Sequence, residues 1–427
     1  MAKHNFKIGT ELVNNTYLPP PKLSGSDALL SVFMPALALG PTLIPSIGLR
    51  SEHISIMLFS IFALAQSRFK IKSALSYLCL GVALFFFLSA LYTNLVPSFI
   101  FFKEEFNVLK FFLVFTPICY FFSSVSPAVR KHYFSRVMKI YFCVVALNFG
   151  LQLANMLGYG VEIAAYFAGT GDEVSTLWKA CYGQGRYIGA FFQPANQGFF
   201  TGLFLICATW IWEKSKLRWV AFSVASLSIF LGTSKVGLCA LFIAAILLLR
   251  KRPIYIFPLG VLILMFSAFL QWGTTNGITG LELQFLDPGK ENSLTSVTAG
   301  RLGENSTLTH AFFCVWNDSP ILGLGPGELA RNYSMPYDND LLYAYANGGI
   351  FAFFAEICMF LALLPTLGKQ HKHHALALFV FLCVSSLGIV VFSGNGGTFL
   401  LAVALSFLLS EQQQTIPHTS NENPIRY

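Results

Sequence analysis

Charge is what this sequence has least of. Asp, Glu, Lys and Arg make up 11% of its 427 residues, against 55% hydrophobic residues, 44 Phe and a mean hydropathy of +0.62. A soluble domain carries about 25% charged residues, so this composition excludes an ordinary water-solvated fold. Acidic residues are the scarcer sign, 20 against 28 basic ones, for a net charge of +8. No GxxxxGK[ST] loop occurs, which removes the commonest nucleotide-phosphate cradle. The nine cysteines, at 79, 119, 143, 181, 207, 239, 314, 358 and 383, fall mostly inside apolar runs. An odd number without paired or zinc-like spacing excludes a disulfide framework and a structural zinc site, and leaves them as small core hydrophobes. The first thirty residues are polar and lack an apolar stretch followed by a small-residue cleavage site, so no removable signal peptide is expected.

What is abundant is apolar runs of membrane length. A helix needs about 20 apolar residues to cross about 30 Å of hydrocarbon. Runs near that length predict twelve spans, at 28–49, 53–67, 73–92, 107–125, 137–157, 191–212, 217–233, 236–249, 254–271, 347–367, 374–393 and 396–410. The shortest, 53–67, 236–249 and 396–410, are the weakest. The expected fold class is an all-α polytopic membrane bundle. It has a cytoplasmic segment over 1–27, a transmembrane catalytic domain over 28–410 and a disordered polar tail over 411–427.

Basic residues accumulate in loops that stay in the cytoplasm. With the N-terminus inside, most of the 28 fall in the loops that alternation assigns to that side. Those elsewhere are Arg50, Lys103, Lys110, Lys179, Arg186, Lys235, Lys290, Arg301 and Arg331. The net charge is thereby a matter of topology and of anionic lipid headgroups, and no nucleic-acid partner is expected. The two long hydrophilic stretches, 158–190 and 272–346, then lie on the opposite face, out of reach of cytoplasmic nucleotide donors. A lipid-linked substrate reaches that face.

On it the exceptional cations become informative. Arg186 stands in YGQGRYIGAFFQPANQGFF, Lys235 in LGTSKVGL and Arg301 in VTAGRLGEN. A guanidinium grips phosphate bidentately and an ammonium adds a point charge, so the three together would suit a pyrophosphate. The bland alternatives are ion pairing, as acids beside Lys103 and Lys290 suggest, or snorkelling to lipid phosphates. The segment GLGPGE lacks a lysine and the strand-to-helix setting of a phosphate loop, so it reads as a tight backbone turn. Aromatic residues near the outer face, Trp178, Tyr182, Tyr187, Tyr333, Tyr337, Tyr343 and Tyr345 among them, read as an interfacial belt that could also stack on sugars.

These residues resemble, in their order and placement, the O-antigen ligase and O-antigen polymerase superfamily of bacterial membrane glycosyltransferases. Arg186, Gly189, Phe191 and Phe192, followed by Pro194 and Asn196, match its Arg-x-x-Gly-x-Phe pattern. Ser234-Lys235 stands where a Ser-Arg pair is usual. Gly300-Arg301, Trp316 and PILGLGPG at 320–327 match the next pieces, and DNDLLYAYANGG at 338–349 stands where the family carries a histidine. Lysine for arginine keeps charge and loses the fork. Asp338 in the histidine position points to a polymerase rather than a ligase.

The resemblance implies a glycan donor on polyprenyl pyrophosphate, transferred to the hydroxyl of another lipid-linked repeat unit on the periplasmic face of the inner membrane. Arg186, Arg301 and Lys235 would neutralise the departing pyrophosphate. A carboxylate would orient or deprotonate the acceptor, with Asp338 the first candidate, Asp340 the second and His310 the third. Gln193, Asn196, Ser234, Asn339 and Tyr337 complete the expected substrate contacts. For Asp338 and Asn339 the alternative is capping of the next helix, and for His310 an ordinary surface position. No cofactor and no metal are expected, since carboxylates and histidines are not clustered at ligand spacing. Membrane lipids and a chain-length regulator are the remaining expected partners. The alternatives are a ligase acting on lipid A-core and a transporter of the same lipid-linked glycan.

Overall fold

Two prolines decide what happens where the first span is expected. Pro41 and Pro45 each remove a backbone donor and clash with a preceding turn. In the computed structural model the chain there forms a short antiparallel ladder, β1 (Thr42–Ile44) on β2 (Leu49–Arg50). The expectation of helix through 49 is therefore corrected. The structure describes residues 114–250, 307–324, 339–361, 371–392 and 397–412, with short interruptions, and scattered residues between 39 and 84. The segment 1–27, most of the span 53–67, nearly all of the span 73–92, the span 254–271, most of the 272–346 loop and nearly all of the tail lie outside the described residues.

Apart from that ladder, the regular structure described is helical. Its elements are α1 (Val114–Ser123), α2 (Pro127–Met156), α3 (Val161–Ala168), α4 (Asp172–Gly183), α5 (Pro194–Ile211), α6 (Leu217–Gly232), α7 (Lys235–Leu249), α8 (Thr307–Asp318), α9 (Asp340–Leu361), α10 (Lys372–Ser386) and α11 (Gly397–Gln412). Among the described residues α2 alone is long and apolar enough by itself to cross a membrane, and α1, α6, α7, α10 and most of α11 are shorter apolar helices.

Local sequence explains the ends of α2. Ser126 caps it, its hydroxyl accepting from Val129 N, and Pro127 stands at the first turn, where its missing N–H costs nothing. The helix therefore starts well before 137. It stops where Gly158 takes a left-handed φ of 83° and Tyr159 N bonds back to Ala154 O. The hydrophilic stretch after it is not a plain loop: α3 and α4 pack on one another around the buried Ala164, Trp178 and Ile188.

α5 is the centre of the bundle. Every residue from Gln197 to Trp210 is buried, as its apolar character on all sides requires. α7 runs parallel to it in close contact: a Cβ on Gly202 would lie 2.4 Å from Ala240 Cβ, and one on Gly198 would lie 1.9 Å from Ser234 Oγ. Only glycine admits that approach. α10 lies antiparallel to α5, with Phe199 stacked on Phe381 at 5.6 Å and Trp210 beside His371. α11 lies parallel, Gly397 against Phe199 and Phe407 edge-on to Trp210 at 5.1 Å. Each such aromatic pair contributes about 0.5–1.5 kcal/mol beyond its area.

α9 is two helices. Gly348 (φ −138°, ψ 17°) and Gly349 (φ 63°, ψ −154°) break it, and its arms fold back on each other: Tyr345 meets Phe353 and the Asp340 carboxyl meets that of Glu356. Asp340 and Glu356 stand at nearly equal distances in sequence from the break, which is the signature of a hairpin. The expectation of a loop up to 346 is corrected accordingly: helix begins at Asp340, and the break falls on the first residues of the span expected over 347–367, after which the helix runs unbroken to Leu361. PILGLG lies over this turn, Ile350 N bonding to Pro320 O at 3.1 Å and Leu324 N to Ala346 O at 2.7 Å. A Cβ on Gly349 would strike Ile321 O at 2.1 Å, so two sequence-distant glycine motifs form one backbone-to-backbone contact.

Candidate functional site

The parallel packing of α5 and α7 brings their N-termini together, and each of those ends presents unsatisfied N–H groups and a partial positive charge. α5 begins Gln193-Pro194, with Pro at the first turn and no side-chain cap from Gln193. α7 begins at Lys235, capped by Ser234, whose Oγ accepts from Gly237 N at 3.2 Å. The joint between α6 and α7 is strained: Thr233 adopts φ 47°, ψ 41°, a left-handed conformation unusual for a β-branched residue. Lys235 is exposed at this end, where the helix dipole disfavours a cation and favours an anion beside it.

The chain carrying Arg186 is docked onto the same joint. Tyr187 N donates to Leu231 O at 2.9 Å, near the end of α6. Gln152 of α2 donates from Nε2 to both Tyr187 O and Ser228 O, while the Ser228 hydroxyl donates to Gln152 Oε1 at 2.7 Å. Gln197 of α5 donates to Ser228 Oγ and Ser228 O at 3.0 and 3.1 Å. Asn148, one turn before Gln152, accepts from Ala190 N at 2.8 Å and lies against the left-handed Gly189 (φ 62°), whose carbonyl accepts from Trp178 Nε1 at 3.0 Å. Arg186 N itself bonds to Cys181 O. Burial pushes the Cys181 thiol up from its ordinary range, and the Arg186 guanidinium opposes that shift, which puts its charge within reach of the α4 end. Arg186 and Lys235 thus share one end of the bundle with two helix N-termini. Guanidinium, ammonium and helix N-termini are each groups that bind anions.

Of the other expected site residues, Gln193 and Asn196 stand partly buried at the start of α5, beside this cluster. Ser234 is buried, with its hydroxyl engaged as the α7 cap. Asn339 caps the first arm of α9: its Oδ1 accepts from Leu342 N at 2.9 Å, and its carbonyl accepts from Tyr343 N. Asp340 is 1% exposed, its carboxyl hydrogen-bonded to Glu356 and to the backbone of Val391 and Phe392. It faces protein rather than an open surface. His310 is exposed on α8, its Nδ1 3.6 Å from Cys314 Sγ, on a helix whose Phe312, Phe313 and Trp316 are exposed as well. Asp338, Arg301 and Tyr337 lie outside the described residues. Among the described residues no three His, Cys, Asp or Glu side chains gather as metal ligands would.

The sequence reading missed Asn148, Gln152, Gln197, Ser228 and Glu356. The signal for the first two was present: amides recurring at helical spacing in an apolar run form one polar face, and a polar side chain in such a run marks a functional or bridging role. Glu356 was an acid inside an expected span and should have been read in the same way. No protein-family model matches this chain, and no curated protein matches it.

Proposed function

We propose that the chain is a polytopic membrane glycosyltransferase with twelve spans, a polymerase of surface polysaccharide in a bacterial inner membrane. It transfers a glycan from polyprenyl pyrophosphate to a sugar hydroxyl of another lipid-linked repeat unit on the periplasmic face. One observation carries the proposal most directly: Arg186 and Lys235 reach the same end of the bundle as the N-termini of α5 and α7, a setting suited to a departing pyrophosphate. The direction of the helices agrees with the expected topology, since α2 and α6 end where α5 and α7 begin, as alternating spans require.

In this mechanism the diphosphate oxygens accept from the N–H groups opening α5 and α7 and from Arg186 and Lys235, with Arg301 adding a third cation. Charge building on the bridging oxygen as the anomeric C–O bond breaks is stabilised in place. The acceptor hydroxyl is oriented, and its proton taken, by Asp338, immediately before the Asn339 cap. Asp340 has its carboxyl committed to Glu356 and does not serve here. Arginine and lysine supply the charge that a divalent ion supplies elsewhere, so no metal enters.

The buried carboxyl pair favours a second reading, a transporter of the same lipid-linked glycan, because transporters commonly place acids inside their spans. Glycan profiling of a strain lacking the chain separates the readings. A polymerase predicts single repeat units still joined to the lipid core. A bare core with polymer held on polyprenyl pyrophosphate indicates a ligase, and repeat units trapped on the cytoplasmic face indicate a transporter.

A further inference from the structure

Asp340 and Glu356 are the two acids of the α9 hairpin, one on each arm, and both are buried, 1% and 6% exposed. Their carboxyl groups are hydrogen-bonded to each other. An ionised carboxylate only accepts hydrogen bonds, so a bond between two carboxyls requires that one of them carry a proton. The backbone of Val391 and Phe392, between α10 and α11, also bonds to Asp340. A backbone N–H donates and so favours the anion at Asp340, which leaves the proton on Glu356. Asp340 Oδ2 and Glu356 Oε2 have no hydrogen-bond partner. Two charged carboxylates in contact in such a place would repel strongly. Among the described residues the titratable or charged groups on the helices packed against α9 are His310, Cys314 and Asp318 of α8 and Lys372, His373, His374 and Cys383 of α10; α9 itself adds Tyr343, Tyr345 and Cys358. The influences on the two carboxyls are burial, each other and the two backbone groups.

We propose that Asp340 and Glu356 form a buried site for one exchangeable proton, which joins the two arms of the α9 hairpin and so holds Asn339 at its place beside the 391–392 segment. The hinge for release is already built, since Gly348 and Gly349 carry the turn and the two arms meet across it through this pair. Losing the proton puts two like charges at the open end of the hairpin and parts it. This holds whether the chain transfers glycans or moves them.

The test uses the full chain in detergent. Infrared difference spectra across a pH titration should show one buried protonated carboxyl at neutral pH, whose C=O stretch shifts in D₂O and is lost in Glu356→Gln. Glutamine keeps a donor for Asp340 without a titratable proton. The native state holds a proton here that the unfolded chain releases, so stability falls as pH rises from the ordinary carboxyl range to the point where the pair deprotonates. The wild-type melting temperature should decline with pH across that window, and Glu356→Gln should keep the low-pH melting temperature and lose that decline. Asp340→Asn should keep the protonated-carboxyl band, because the proton resides on Glu356, and should weaken the decline by removing the neighbouring charge. A spectrum without a protonated carboxyl, a pH slope unchanged in both variants, or a sodium-dependent melting temperature in place of the pH dependence would overturn the proposal.

Discussion

Gly198 of α5 lies against Ser234, the cap of α7, so closely that a methyl group on Gly198 would fall 1.9 Å from the Ser234 hydroxyl and 2.7 Å from the backbone nitrogen of Gly237. This contact sets the two helix N-termini side by side, close to the end of α6 on which Tyr187 docks. Gly198→Ala should therefore cost about 1–3 kcal/mol, the usual penalty for overpacking, and should reduce polymer output beyond the loss of folded protein. Gly150, on an open face of α2 where an added methyl group would meet no atom within 4 Å, is the control. Gly150→Ala should leave the melting temperature unchanged or raise it, by up to about 1 kcal/mol of helix propensity.

The amide of Gln152 joins the Tyr187 carbonyl to Ser228. Gln152→Leu leaves those buried groups without partners, at a cost of about 1–3 kcal/mol. It should also lower activity with Arg186 and Lys235 both intact, because the segment bearing Arg186 loses its anchor. Melting temperature and polymer length, measured on the same membranes, check both halves.

How much of this was legible beforehand varies by element. The helical character of the described residues was legible in the apolar runs, because such runs leave a compositional mark that no packing detail erases. The start of α2 was misplaced because Arg130, Lys131 and Arg136 looked like loop, whereas Ser126 and Pro127 are the capping signal that decides it. The first arm of α9 was hidden because hydropathy does not mark a short helix that precedes a membrane-length run. The pair Gly348-Gly349 announces a turn only once Gly323 is known to press on it. Arg186 and Lys235 were found as topological exceptions. The amides that hold the Arg186 segment in place lay within runs already assigned to greasy helix, where a single polar letter barely changes the average.

Asp338 and Asn339 have different jobs in this account. Asn339→Ala removes the cap on Leu342 N and should cost about 1 kcal/mol of stability. Asp338→Asn should leave the melting temperature alone and lower turnover by about 10²–10⁴-fold, the contribution of general-base help. Full activity from the Asp338→Asn variant would leave pyrophosphate departure and proximity to drive the reaction alone.

In the proposed mechanism Arg186, Lys235 and Arg301 neutralise the leaving group, so a divalent ion is not required. Purified enzyme should keep its rate in excess EDTA. Loss of activity on chelation, restored by Mg²⁺ or Mn²⁺, would recast Asp338 as a ligand.

The most direct measurement supplies purified protein in proteoliposomes with a single substrate, repeat units on polyprenyl pyrophosphate, and follows chain length and free polyprenyl pyrophosphate together. The account predicts a ladder of polymers with one polyprenyl pyrophosphate released per linkage formed, absent with Arg186→Ala and partly restored with Arg186→Lys, in which the charge returns without the bidentate grip. Movement of intact lipid-linked units across the bilayer, with no new glycosidic bond, would contradict it.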